Sequence, residues 1–170
     1  MFVGREAQLE QLKALWRKPV ASLVTCRGRR RIGKSTLIEE FARRNRVRFI
    51  KLEGVEPHPG VNNETQLAAF ARQLSEQTGC DGSPLGNWFD AFARLAKTLN
   101  PREKTVLLID EISWMGKYDV DRLLLGLGGL QHGRRRFVVR DVEGSHGLLR
   151  LACFAKHLLH VHERHVSIPF

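Results

Sequence analysis

Apolar positions along the chain change period several times, and each change marks an element. Leu9, Leu12, Leu15 and Trp16 recur at helical spacing over 6–16, and Pro19 closes the run. Residues 20–26 are apolar and β-branched with no helical period, which predicts a buried strand. Leu37, Ile38 and Phe41 restore the helical face over 34–44, and 47–52 reads as a second strand. Two prolines, a glycine and two asparagines make 56–63 a loop. Helical patterns over 65–77 and 88–99 flank a Gly/Ser/Pro turn at 79–84. The most hydrophobic strand, 105–109, runs directly into Asp110 and Glu111.

Strands that are apolar without interruption and alternate with helices imply a parallel sheet covered on both faces. The expected fold class is therefore α/β, in three layers. No internal repeat and no low-complexity segment is visible.

Between the first strand and the second helix lies Gly28-Arg29-Arg30-Arg31-Ile32-Gly33-Lys34-Ser35-Thr36. Two glycines, a lysine and a hydroxyl residue at this spacing form the Walker A phosphate loop. The chemistry dictates the order. A strand ends, the chain turns tightly so that successive backbone N–H groups can wrap phosphate oxygens, and a helix begins with its positive end at the anion. Residues 28–36 are thus the candidate nucleotide ligands. Lys34 is expected to reach the β- and γ-phosphates, Ser35 to ligate Mg²⁺, and Thr36 to lie near the α-phosphate. Arg29, Arg30 and Arg31 are expected to point outward and dress the nucleotide loosely.

Val106, Leu107, Leu108 and Ile109 leading into Asp110-Glu111 match the Walker B pattern. A buried parallel strand delivers its carboxylate to the C-terminal edge of the sheet, where ligands of open α/β sheets bind. Asp110 is expected to hold Mg²⁺ together with Ser35, and Glu111 to polarise an attacking water. Lys34 and Glu111 are the candidate catalytic pair, with ATP and Mg²⁺ as the expected cofactors. No guanine-reading Asn-Lys-x-Asp motif occurs, which favours ATP over GTP. At the N-terminus, Phe2 and Val3 precede Gly4-Arg5-Glu6, an apolar pair suited to cover a purine face.

Together these segments resemble the prokaryotic AAA/STAND-like P-loop ATPases often called the archaeal ATPase family. The match rests on the Phe-x-Gly-Arg-Glu box at 2–6, the loop and helix start at 28–38, Glu-Glu-Phe-Ala at 39–42, Phe-Ile-Lys-Leu-Glu-Gly at 49–54, and Leu-Ile-Asp-Glu-Ile-Ser-Trp-Met-Gly at 108–116. The resemblance covers 1–121 and implies an additional-strand P-loop core that binds and hydrolyses ATP with Mg²⁺. In the family a sensor strand, an arginine-bearing segment and a helical lid follow.

Here the composition shifts instead. No acidic residue lies between Asp121 and Asp141, and six of the 7 histidines fall in the tail. The expected division is a P-loop ATPase core at 1–122 and a basic, His-rich tail at 123–170. The tail reads as the product of a truncated or frameshifted gene, leaving the fold incomplete at the C-terminus, with a genuine short variant carrying its own tail as the rival reading. Within it, 134–139 is a candidate fourth strand, Ser145 a faint sensor candidate and 148–160 a candidate helix. His157, His160, His162 and His165 have no partner at zinc-like spacing and read as incidental.

The net charge of +10 admits nucleic-acid contact and equally a solvated surface rich in arginine. Three scattered cysteines form neither a disulfide framework nor a metal pair, which fits a cytoplasmic protein. No apolar run is long enough for a membrane span. ATP is the expected partner, while homo-oligomerisation and nucleic-acid binding stay open. The alternative function is a non-hydrolysing nucleotide- or nucleic-acid-binding remnant.

Overall fold

The computed structural model describes residues 4–18, 22–29, 31–100, 102–119, 121–123, 136–142 and 165–169. Their elements run α1 (Glu6–Trp16), β1 (Ser22–Arg27), α2 (Lys34–Asn45), β2 (Arg48–Glu53), α3 (Asn63–Thr78), α4 (Trp88–Thr98), β3 (Thr105–Asp110), α5 (Ile112–Met115), β4 (Arg136–Val142) and β5 (His165–Pro169). The elements expected as far as 110 are all present with ends shifted by a residue or two, and the strand expected at 134–139 spans Arg136–Val142. The short α5 and the strand β5 are additions that periodicity did not reveal. The helix expected at 148–160 lies outside the described residues.

All strand pairs are parallel, and the order across the sheet is β2-β3-β4-β1-β5. The boundary expected at 122 falls between β3 and β4, so two strands from beyond it enter the sheet. Of these, β4 lies at the centre, pairing Val138 with both Leu23 and Leu107. Its polar residues Arg140 and Asp141 fall at the C-terminal end, in register with Thr25 and Cys26 of β1. A strand end at the rim of a sheet tolerates polar positions that its middle would not.

Alternation along each strand builds the two cores. Ile50, Leu52, Leu107 and Ile109 face α3 and α4, joining Leu67, Phe70, Trp88 and Phe92. Val24, Cys26, Val106 and Leu108 face the other way, joining Leu9, Leu12, Leu37, Ile38 and Phe41 of α1 and α2. That explains why β3 is apolar at consecutive positions: both faces are covered, and every residue from Thr105 to Asp110 is buried. Trp88 is fully enclosed, edge-on to Phe70 at 5.7 Å, and its indole N–H donates to Asn63 Oδ1 at 2.9 Å. Truncating so large a buried side chain costs about 3–5 kcal/mol.

The helix ends follow local chemistry. Asn62 caps α3, accepting from the Thr65 N–H while Thr65 Oγ1 accepts from the Asn62 N–H in return. Asn87 caps α4 by accepting from the Asp90 N–H.

One edge of the sheet, β2, would present unpaired backbone groups. Glutamines on α3 close it. The Gln77 amide accepts from Lys51 N–H at 2.9 Å and donates to Lys51 O at 2.6 Å. Gln73 does the same for Glu53, and Gln66 for Val55. Each amide stands in for a peptide group of a further strand, at alternate residues 51, 53 and 55.

On the outer side of α2, the Glu40 carboxylate accepts from Arg43 Nε at 2.8 Å, Arg43 Nη2 at 2.7 Å and Arg44 Nε at 2.7 Å. These bonds, that of Arg43 first, hold its pKa at about 2, below the ordinary 4.5. A depressed carboxylate contributes stability above its unfolded pKa and loses it as pH falls through the folded value. Glu40→Gln is therefore expected to melt below the wild type at neutral pH. The gap should close as pH is lowered from about 5 towards 2. Thermal melts across that range check this; a gap independent of pH would refute the role given to Glu40.

Candidate functional site

The site lies at the C-terminal ends of β1 and β3. In this strand order β4 separates them, so their ends stand about 10 Å apart. A loop and a helix turn must bridge that distance. Gly33 makes the bridge. It is the N-cap of α2 with φ 84°, a left-handed conformation that glycine adopts without steric cost, and no side chain caps the helix. The first backbone N–H groups of α2 are thus left without a capping side chain at the loop. Arg31, also at positive φ (59°), costs roughly 1–2 kcal/mol by the same geometry.

Lys34 opens α2 and is buried. Its ammonium turns back into the loop, donating to Gly28 O at 3.2 Å and Arg29 O at 3.0 Å. The next residue crosses the gap: Ser35 Oγ donates to Asp110 Oδ2 at 2.6 Å, joining positions 75 residues apart. Alternation on β3 makes this meeting necessary. Val106 and Leu108 face α2, and so Asp110 does too, almost fully buried at 5% exposure. Thr36 lies exposed in the first turn of α2, and Arg29 and Arg31 are exposed on the loop. Arg30, Phe2, Val3, Ser145 and the tail histidines other than His165 lie outside the described residues.

Glu111 follows at the N-cap of α5 with φ 50° and ψ 44°, a strained conformation for a residue with a Cβ. Its carbonyl accepts from Trp114 N–H at 2.9 Å, and the neighbouring Asp110 carbonyl accepts from Gly54 N–H at 3.1 Å. Gly54 has no alternative here, because a Cβ at that position would stand 2.6 Å from Glu111 O.

Two participants were not anticipated. Arg5 was read only as part of an apolar-led box; its guanidinium donates to Ile32 O at 2.6 Å and ties the N-terminal segment to the phosphate loop. Lys51, on β2, reaches Asp110 Oδ2 at 3.5 Å, Glu53 Oε2 at 3.4 Å and Glu39 Oε1 at 3.7 Å. Burial alone would push its pKa down, but Glu53, Asp110 and Glu39 outweigh that and raise it. Alternation carried the missed signal. Phe49 packs against the α2 core, so Lys51 and Glu53 face α2 as well.

The donor set fits Mg²⁺. A hydroxyl and a carboxylate oxygen in contact are hard ligands, and this ion takes one or two protein oxygens while phosphates and waters fill the rest. Among the described residues there is no cluster of three or more His, Cys, Asp or Glu able to hold a metal. An open cleft of about 640 Å³, lined by Thr78, Cys80, Asp81, Asp90, Arg94 and Lys97 among others, sits in the α3–α4 layer. It shares no residue with the loop or with Asp110-Glu111 and lies on the opposite face of the sheet. None of the helices among the described residues is long and apolar enough to cross a membrane.

Comparison with known proteins agrees with this geometry. Residues 1–139 match the AAA ATPase domain. An uncharacterized ATP-binding protein of Methanocaldococcus jannaschii is 40% identical over 48 residues, which is 28% of this chain and 81% of that protein. Cdc6p from Pyrobaculum aerophilum superposes with a TM-score of 0.63 at 19% identity, over 98% of this chain and 45% of its own. Drosophila ORC bound to DNA superposes with a TM-score of 0.60 at 16% identity, over 99% of this chain and 43% of its own. These two likenesses carry the fold alone, and this chain spans less than half the length of either structure.

The Gly54 contact generates a prediction. Gly54→Ala should push the Asp110-Glu111 turn away from β2 and destabilise the protein by about 1–3 kcal/mol, as overpacking does. Chemical denaturation measures it; an unchanged midpoint would show that the turn is free to yield.

Proposed function

From a chain that belongs to the AAA ATPase domain family, we propose Mg²⁺-dependent binding and hydrolysis of ATP at residues 28–36, with Asp110 and Glu111. The observation that supports it most is the Ser35–Asp110 hydrogen bond of 2.6 Å, which joins the phosphate loop to the acidic strand end.

In this reading the backbone N–H groups around Gly33 cradle the phosphates, and Lys34 exchanges its loop carbonyls for the β- and γ-phosphate oxygens. Ser35 and Asp110 would hold Mg²⁺, which when bound neutralises phosphate charge. Glu111 accepts the proton of a water that attacks the γ-phosphorus in line. The bond from that phosphorus to the bridging oxygen breaks, leaving ADP and inorganic phosphate. Arg29 and Arg31 add positive potential at the rim of the site.

A nucleic-acid partner and a homo-oligomer are also part of the reading. The first is supported by the net charge of +10 and by the likeness to a DNA-bound complex. ATP turnover measured with added duplex DNA at varied salt, and at rising protein concentration, tests both. A cytoplasmic location belongs to the same reading and is supported by the scattered cysteines. A remnant that binds nucleotide without hydrolysing it is the competing function, and the following variants separate the two.

Lys34→Ala removes charged hydrogen bonds worth about 1.5–3 kcal/mol and should weaken ATP binding roughly 10- to 100-fold. Glu111→Gln should bind ATP as the wild type does and lower kcat by about 10²-fold or more. Titration with a fluorescent ATP analogue and a phosphate-release assay check both. Turnover that survives in Glu111→Gln would remove that residue from the chemistry.

A further inference from the structure

Three carboxylates, those of Asp110, Glu53 and Glu39, converge on one ammonium near the end of β2. Lys51 Nζ lies 3.5, 3.4 and 3.7 Å from them. The register explains the convergence. Glu53 is paired with Asp110 and Lys51 with Leu108, so Lys51 stands diagonally below Asp110 on the same face of the sheet. A long side chain covers that diagonal. Asp110 is nearly closed off from solvent, while Glu39 and Glu53 are about half exposed. A buried carboxylate needs a positive partner more than exposed ones do.

Resting on the reading of Asp110 as a metal ligand, we propose that Lys51 is a positioning residue that competes with the divalent cation for Asp110. Without metal, the ammonium partners the Asp110 carboxylate and holds it against Ser35. A divalent cation at the same oxygen repels the ammonium. Lys51 then turns to Glu53 and Glu39, which already lie within 4 Å, and no charge is stranded. Lys51 thereby sets the concentration of metal at which the site loads, and the two glutamates set how readily it lets go.

Two sets of substitutions should move that concentration in opposite directions. The experiment titrates Mg²⁺ into the intact chain with a fluorescent, non-hydrolysable ATP analogue and reads the metal midpoint for analogue binding. Lys51→Met keeps the aliphatic stem and removes the competitor, so the midpoint should fall roughly threefold. Lys51→Arg should keep the midpoint near that of the wild type. Glu39→Gln with Glu53→Gln removes the alternative partners and should raise it by a similar factor. Thermal melts of each variant show that the fold is intact, and a purely structural role for Lys51 would move melting without moving the two midpoints in opposite senses. Asp110→Asn separates the failures. If it abolishes the metal dependence while Lys51→Met leaves the midpoint unchanged or raises it, the competition is overturned and the metal ligand stands. If Asp110→Asn keeps the wild-type metal dependence, both assignments are overturned.

Discussion

A hydroxyl on the first turn of α2 and a carboxylate at the end of β3 meet at 2.6 Å, and the rest of the structure is arranged so that they can. The loop that leads to the hydroxyl leaves β1, the carboxylate ends β3, and β4 lies between those strands. The helix must therefore start where the loop leaves it, above the strand ends, and Gly33 supplies the left-handed turn that permits this. The carboxylate must face the same way. A slip of one residue in the β3 register would put Ile109 against α2 and Asp110 into the core with Phe70 and Trp88. The apolar faces that fill the two cores are thus also what aims the site.

Charge at the site is balanced locally, with two lysines in different roles. Lys34 is held by carbonyls of its own loop, a neutral resting place. Lys51 is held by carboxylates and shares the one that meets Ser35. Strain collects in the same place. Arg5, Arg31 and Glu111 all take left-handed backbone conformations, and Gly54 is compelled by the close passage of the Glu111 carbonyl. Strain of this kind persists only where surrounding packing over-determines it, and here Ile112 and Met115, just after Glu111, are buried in the α3–α4 core.

Much of this was legible in the residues alone. The helical and strand periods located the elements as far as β3, because each buries a regular apolar face. The loop and Asp110-Glu111 stood out because the phosphate and metal chemistry proposed for them demands particular residue types at particular spacings. What escaped had weaker or non-local signals. The Gln66, Gln73 and Gln77 ladder looks like polar filler on α3 until an exposed strand edge lies beside it. Arg5 was overshadowed by Phe2 and Val3, though its guanidinium is the group that reaches Ile32. β4 was anticipated only as the candidate at 134–139, and β5 comes from a segment whose histidines disguise its strand, so that only pairing with β1 defines it.

The central claim is that Ser35 and Asp110 act as one unit in metal-dependent nucleotide binding. A double-mutant cycle tests it most directly: Ser35→Ala, Asp110→Asn and the double variant, each scored by how far Mg²⁺ tightens binding of a non-hydrolysable ATP analogue. The account predicts that the double variant loses less than the sum of the two single losses, by about 1 kcal/mol or more. Losses that simply add would mean that the two residues act separately, and the account would be wrong.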